Sequence, residues 1–153
     1  MRALIQRVKR CTVSVDGQPF SNINVGLLVL LAVKKGDTMD DAHYLAERCC
    51  ALRVFDDEEG KMNVSVKDIG GEMMIVSQFT LYGDTRKGNR PSYSEAAAPE
   101  LAEQLYTDFI NESRRIIGNE KVSSGQFRAM MQVEIVNDGP VTVMIESKEK
   151  QSG

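Results

Sequence analysis

Four groups of residues carry atoms suited to chemistry. Ser77-Gln78-Phe79-Thr80 lies near the end of an apolar run, Glu72 to Leu81, and puts three polar side chains in four positions. One reading is a strand whose outer face is wet. The other is a strand end that offers hydroxyls, an amide and backbone N–H groups to a ligand, and oriented backbone donors suit a developing oxyanion. Asn137-Asp138-Gly139-Pro140-Val141-Thr142 sets Asp-Gly between two apolar runs, ordinarily a tight hairpin. Pro140 removes an N–H from that turn and restricts Gly139 before it. The connection is therefore either an irregular proline-bearing loop or one with a cis Gly139-Pro140 bond. Arg7 shares strand parity with Ile5 and Cys11, and a charge on an inward parity needs a partner. Lys9 has the same parity, so a bulge could equally turn the charge outward. Arg86, Lys87 and Arg90 crowd one loop, either as solvated charge or as a binding loop for nucleic-acid phosphates.

Composition excludes other chemistries. The 153 residues hold one histidine, His43, and three cysteines. Any Ser-His-Asp or Cys-His arrangement must pass through His43, and a histidine-rich metal site is ruled out. Cys49 and Cys50 are adjacent and Cys11 is distant, which makes neither a zinc cradle nor a disulfide framework and points to a reducing compartment. No metal or cofactor is expected. The acidic run Asp56-Asp57-Glu58-Glu59 lacks calcium-loop spacing and reads as a solvated hairpin tip. A net charge of −3 argues against nonspecific coating of nucleic acid while leaving room for a local basic patch. No run approaches the ~20 apolar residues of a membrane span, and the N-terminus lacks a signal-peptide pattern, so cytoplasmic residence is expected.

The elements that must position these groups follow from periodicity. Residues 2–15 alternate as a half-buried strand, with Asp16-Gly17 turning the chain and Pro19 suited to the edge of the returning strand. Gly26 to Val33 is a continuous apolar run, as in a strand buried on both faces. Thr38 suits an N-cap, Asp41 suits the first turn, and Ala42, Leu45, Ala46 and Cys49 form the stripe of an amphipathic helix. His43 lies well off that stripe, at a helix rim. Leu52 to Phe55 and Met62 to Val66 read as a hairpin, Glu72 to Leu81 as a strand, and Tyr82 to Ser92 as a polar loop. A second helix begins at Pro99, buries Leu101, Leu105, Phe109 and Ile116, and stops at Gly118. Ala129 to Asn137 and Val141 to Glu146 read as two closing strands. The expected fold is α+β, a curved, largely antiparallel or mixed sheet or barrel-like β core with two main helices packed on it. One domain spans 1–147, and 148–153 reads as a flexible tail.

The segments Ser77 to Leu81 and Asn137 to Thr142 resemble the D-aminoacyl-tRNA deacylase family. The likeness extends to Met1-Arg2-Ala3-Leu4-Ile5-Gln6-Arg7-Val8, to Gly60-Lys61-Met62-Asn63 and to Thr85 through Ser92, and it runs to about Glu146. Met130 departs, standing where an acidic residue is common in the family. The resemblance implies hydrolysis of the ester between a D-amino acid and the terminal adenosine of tRNA, with glycyl-tRNA a further substrate. It implies a homodimer with active sites at the subunit interface, where Gly139-Pro140 of one subunit is cis and enters the site of the other to exclude an L side chain. Arg7 would hold that element. Ser77, Gln78, Phe79 and Thr80 would be the catalytic segment, and Arg86, Lys87, Arg90 and Met131 the tRNA-binding residues.

Thr80 is the family's candidate nucleophile, but a threonine hydroxyl needs a base, and no Lys, His or carboxylate adjoins it in the motif. The favoured expectation is that Phe79 and Thr80 N–H groups hold the oxyanion while the ribose 2′-OH assists water. Two rivals stand beside this one: a sister deacylase for a small mischarged L-amino acid, and a nucleic-acid-binding module without turnover.

Overall fold

The computed structural model describes residues 1–147; the expected tail at 148–153 lies outside them. β1 (Arg2–Val15) turns at Asp16-Gly17 into β2 (Gln18–Ile23), and β3 (Gly26–Ala32) follows. Register places β2 opposite Cys11–Val15 and β3 opposite Arg2–Val8, so the two lie end to end along β1. Pro19 stands beside the bulge in the β1–β2 ladder. After α1 (Met39–Ala51) comes a small hairpin of β4 (Phe55–Asp56) and β5 (Met62–Val64). Next, β6 (Glu72–Ser77) joins β3 in parallel, α2 (Pro99–Ile117) crosses back, and β7 (Val122–Ser124) joins β6, again in parallel. β8 (Met131–Glu146) then pairs antiparallel with β1 along almost its whole length. The sheet is mixed and curved, and it carries two helices, as expected.

Two cores explain why β3 and β6 are apolar on consecutive residues. Leu27, Val29, Leu31, Met73 and Ile75 face the helices, where Leu45, Cys49, Leu105 and Phe109 cover them. Their neighbours Leu28, Met74 and Val76 face the concave side, against Val8, Cys11, Val13 and Ile23, with Met131, Val133 and Ile135 of β8 packed on that cluster. Burying a side chain such as Phe109 contributes roughly 1.5–3 kcal/mol. Ser21 Oγ donates to Ser124 O at 2.8 Å, which draws β2 toward β7 and curls the sheet toward a barrel.

The helices have the expected ends. Thr38 N–H donates to Asp41 Oδ2 at 2.8 Å, so Asp41 supplies the reciprocal half of a capping box. Gly118, at φ 114°, closes α2 by donating to Arg114 O at 2.9 Å. His43 is half-buried on α1 near Glu112 of α2, the rim position expected of it. The Met1 ammonium is buried against the Asp37 carboxylate at 2.7 Å and donates to Ser147 Oγ at 2.8 Å.

Several expectations are corrected. The strand expected to run to Leu81 ends at Ser77, because residues Phe79–Tyr82 wind into a 3-10 turn. Tyr82, expected in a polar loop, is buried. The strand at Leu52 to Phe55 shrinks to Phe55–Asp56. The two closing strands are one: both halves of β8 pair with β1, with an irregular segment extruded between them. β7 was not expected, since its three residues include one large apolar side chain and pair only through a long crossover.

Gly26 is the tightest backbone approach in the sheet. A Cβ there would stand 1.8 Å from Glu72 O, so the start of the parallel β3–β6 ladder requires glycine. Gly26→Ala is expected to destabilise the fold by about 3 kcal/mol or more, read as a lower urea midpoint at unchanged slope.

Candidate functional site

Ser77 is the last residue of β6, opposite Leu31 in the parallel ladder. Gln78 N–H donates to Leu31 O at 2.8 Å and ends that ladder. The chain then tightens: Leu81 N–H donates to Gln78 O at 3.2 Å and Gly83 N–H to Thr80 O at 2.9 Å. The first bond of the turn is thus made by Leu81, and the N–H groups of Phe79 and Thr80, at its N-terminal end, have no partner within it. Both residues are exposed, and they point into a cleft of about 760 Å³ between the turn, the start of α2 and the segment 127–133.

The cleft is mostly apolar. Phe79 packs edge-on against Tyr93 with ring centroids 5.1 Å apart, while Ala97, Phe127 and Met131 form other walls. Among the described residues, the ionisable ones that line it are Tyr93 and Arg128. Gln78 Nε2 donates to Thr80 Oγ1. An amide is no base in either orientation, so the hydroxyl that would be a nucleophile sits beside a group unable to take its proton. Among the described residues, no cluster of His, Cys, Asp and Glu could hold a metal. The three cysteines are buried, and burial pushes the thiols of Cys11 and Cys50 up to about 11, far from thiolate chemistry at neutral pH. What the cleft can supply is shape, apolar walls and two backbone donors without a partner among the described residues.

Gly139-Pro140 belongs to a second place. The bond is cis, Gly139 has φ 113°, and both residues are exposed. Arg7 lies against them: a Cβ on Gly139 would stand 3.0 Å from Arg7 Nη2. The Arg7 side chain is mostly buried, donates to Val54 O at 2.7 Å, and has Asp138 and Asp56 carboxylates at 3.3 and 3.8 Å. The charge on an inward parity therefore has its partners. Asn137, which the sequence singled out only as part of a motif, braces the base of the segment. Its Nδ2 donates to Arg7 O at 2.9 Å and to Val141 O at 3.2 Å.

Within one chain these two places do not meet. Arg7 pairs with Leu27 and Ser77 with Leu31, and four residues along β3 separate them by about 13 Å in the strand direction alone. The basic loop is also only partly as expected. Arg86 is bound to its own neighbour, Nε to Asp84 Oδ1 at 2.9 Å and Nη2 to Asp84 Oδ2 at 2.7 Å. That pair holds the Asp84 carboxyl down at about 2. Lys87 and Arg90 are exposed on the same loop, which Asp84 and Ser92 close by exchanging backbone hydrogen bonds. Met131 lines the cleft, and a Cβ on Gly125 would stand 2.7 Å from its sulfur. Arg2, which no motif reading singled out, reaches the 3-10 turn from below.

Among known proteins, a D-aminoacyl-tRNA deacylase of Thermosipho africanus is 57% identical over 149 residues, 97% of this chain and 99% of the relative. One of Clostridium novyi is 53% identical over 150 residues, 98% and 99% of the two chains. A solved structure titled c-Myc DNA Unwinding Element Binding Protein superposes with a TM-score of 0.91 at 41% identity, covering 95% of this chain and 98% of that one. A probable eukaryotic D-amino acid tRNA deacylase matches in fold, with a TM-score of 0.81 at 17% identity over the same shares. The family model described as D-Tyr-tRNA(Tyr) deacylase matches residues 4–146. With nearly the whole chain covered, its Phe79–Tyr82 turn and its Gly139-Pro140 segment included, this protein belongs to the D-Tyr-tRNA(Tyr) deacylase family.

Proposed function

We propose that this chain hydrolyses the ester joining a D-amino acid to the terminal adenosine of tRNA, releasing free tRNA and the D-amino acid. The observation that carries the reading is a cleft lined by Phe79 and Thr80, whose N–H groups have no partner among the described residues, with no carboxylate, imidazole or amine among its described lining residues. A site so furnished suits an activated ester whose own neighbouring hydroxyl helps. Water adds to the carbonyl carbon, and the two N–H groups hold the oxyanion. The intermediate then collapses, breaking the bond to the ribose oxygen, which takes a proton as the carboxylic acid forms. The ribose 2′-OH orients the water and relays the proton.

Chirality is read by exclusion. In this reading two copies associate, and Gly139-Pro140 of one enters the cleft of the other, its backbone carbonyls standing where an L side chain would point. The exposure of the segment, its bracing by Arg7 and Asn137, and its distance from Ser77 within one chain all support a partner's contribution. Exclusion does not read the side chain, so several D-amino acids are accepted, and glycyl-tRNA is admitted. Lys87 and Arg90 on the loop beside the cleft attract the tRNA backbone, with Arg86 engaged by Asp84. Met131 forms part of the adenosine end of the cleft. Working on tRNA, the protein belongs in the cytoplasm, and no helix among the described residues is long and apolar enough to cross a membrane.

The likeness to a structure titled as a DNA-unwinding-element binding protein favours one second reading, nucleic-acid binding without turnover. It predicts tight, salt-sensitive binding and no ester cleavage. A sister deacylase for a small L-amino acid predicts cleavage of the L ester. The deciding measurement is deacylation of D-Tyr-tRNA against L-Tyr-tRNA. The D ester is hydrolysed and the L ester spared; cleavage of neither, or of both alike, refutes the proposal.

Two variants test its parts. Thr80→Ala is expected to reduce single-turnover deacylation of D-Tyr-tRNA by less than ~10-fold, since no base activates the hydroxyl. A loss of several orders of magnitude overturns the assistance by the 2′-OH. Arg7→Ala is expected to leave D-Tyr-tRNA cleavage within roughly tenfold while L-Tyr-tRNA cleavage rises, because the Gly139-Pro140 barrier loses its support. Unchanged selectivity in a folded variant argues against steric exclusion.

A further inference from the structure

The turn that carries Phe79 and Thr80 is fastened at both ends. At its front, Gln78 N–H is tied to Leu31 O of β3 at 2.8 Å. At its rear stands Arg2, from the first position of β1. Arg2 Nη1 donates to Leu81 O at 2.7 Å, Arg2 Nε bonds the Glu146 carboxylate, and the guanidinium lies over the Tyr82 ring with 4.6 Å to its centroid. One planar group thus engages the last two residues of the turn and the last residue of β8, which faces Arg2 in the β1–β8 ladder. Three different contacts through a single guanidinium define its orientation in a way that one contact would not.

We infer that Arg2 is a positioning residue for the reacting turn: it fixes the Leu81 carbonyl and the Tyr82 ring, and through them the direction of the Phe79 and Thr80 N–H groups. This rests on the reading of that turn as the oxyanion-binding element. The pair with Glu146 is about one-third exposed on both sides, and partly exposed ion pairs contribute little to stability. Orientation is therefore what this contact supplies. Tyr82 is itself buried, and burial with the nearby Asp37 carboxylate pushes its hydroxyl well above the usual tyrosine range. It stays a neutral ring at working pH, a face for the guanidinium to stack on rather than an anion to pair with. The Leu81 carbonyl lies at the C-terminal end of the turn, where carbonyls lack partners from the turn's own backbone. If Arg2 is removed, that carbonyl is free to rotate toward water, and the peptide planes before it rotate with it.

The test uses the full chain carrying Arg2→Ala, Arg2→Lys or Glu146→Gln, in single-turnover deacylation of D-Tyr-tRNA with thermal unfolding measured alongside. Arg2→Ala is expected to lower the saturating rate by about 10–100-fold, the scale set by misplacing reacting groups by about an ångström. The enzyme concentration giving half the saturating rate should move less than ~3-fold. Free guanidinium ion at a non-denaturing concentration should restore part of that rate. Arg2→Lys should recover little, because an ammonium cannot bond two acceptors in one plane while stacking on a ring. A folded Arg2→Ala protein with an unchanged saturating rate, or one whose loss lies wholly in half-saturation, overturns the assignment. If Arg2→Ala does not fold, Glu146→Gln decides: a several-fold lower saturating rate at an unchanged unfolding midpoint supports it, and an unchanged rate refutes it. Wild-type protein that leaves D-Tyr-tRNA intact refutes the deacylase reading itself, an outcome distinct from an active wild type indifferent to Arg2.

Discussion

β8 has to remain paired with β1 on both sides of a stretch that cannot pair. Between Gln6↔Thr142 and Val8↔Asn137, β1 has one residue, Arg7, and β8 has four, 138 to 141; Lys9 is a further irregularity before Arg10↔Val136. The ladder resumes at each end because both halves of β8 bury residues in a core, Ile145 against the helices' side and Val133 with Ile135 on the concave side. The surplus has nowhere to go but outward. Proline at 140 lacks the N–H a ladder would use, and the positive φ of Gly139 suits a residue without a Cβ. The extruded segment is then held from inside by Arg7 and at its base by Asn137. Its exposure is therefore a consequence of strand pairing and needs no stabilising ligand.

A second constraint sets the other place. β3 and β6 run parallel, so the end of β6 cannot be reached by a hairpin and must leave the sheet at the same edge as the end of β3. Leu31 O captures Gln78 N–H there, and the chain has to turn at once to reach Tyr82, whose ring is buried beneath Arg2. A 3-10 turn is the short solution, and its N-terminal residues keep unpaired donors. Phe79 and Thr80 line a mostly apolar cleft, and a backbone dipole acts most strongly on developing negative charge where the surroundings are apolar.

Much of this was legible in the residues. The two-faced apolar run at Gly26 to Val33, the helix stripe from Ala42 to Cys49 and the stop at Gly118 are written in periodicity and in special residues, and the structure has them. Pro140 after Gly139 announced that no ordinary hairpin could stand there, and a cis bond within a continuous strand is what the chain adopts. The shortfall has a common cause. Gln78-Phe79-Thr80-Leu81 has strand-like composition, yet a bond from Leu31, forty-seven residues earlier, ends the strand. β7 exists because β6 offers a parallel edge, and no local pattern in Val122-Ser123-Ser124 encodes that. Arg86 is held by Asp84, two positions earlier, through a turn that composition alone does not encode.

On the proposed reading, the chain separates two tasks that one reaction needs together. The Phe79–Tyr82 turn sits at the C-terminal end of the β3–β6 pair, and Arg7, which braces the proposed Gly139-Pro140 wedge, sits about 13 Å away along β3, at ~3.3 Å per residue. Both are fastened to β1, the donors through Arg2 and the wedge through Arg7, five residues apart on one strand. β1 is hydrogen-bonded on both edges, to β2 and β3 on one side and to β8 on the other. A wedge that selects by exclusion has to resist the side chain it rejects, and donors that select by orientation have to stay aimed. Mounting both on β1 meets each demand with the same hydrogen bonds. On the same proposed reading, the docking of two copies would bring the wedge of one to the donors of the other, and a symmetric pair would complete two sites at once.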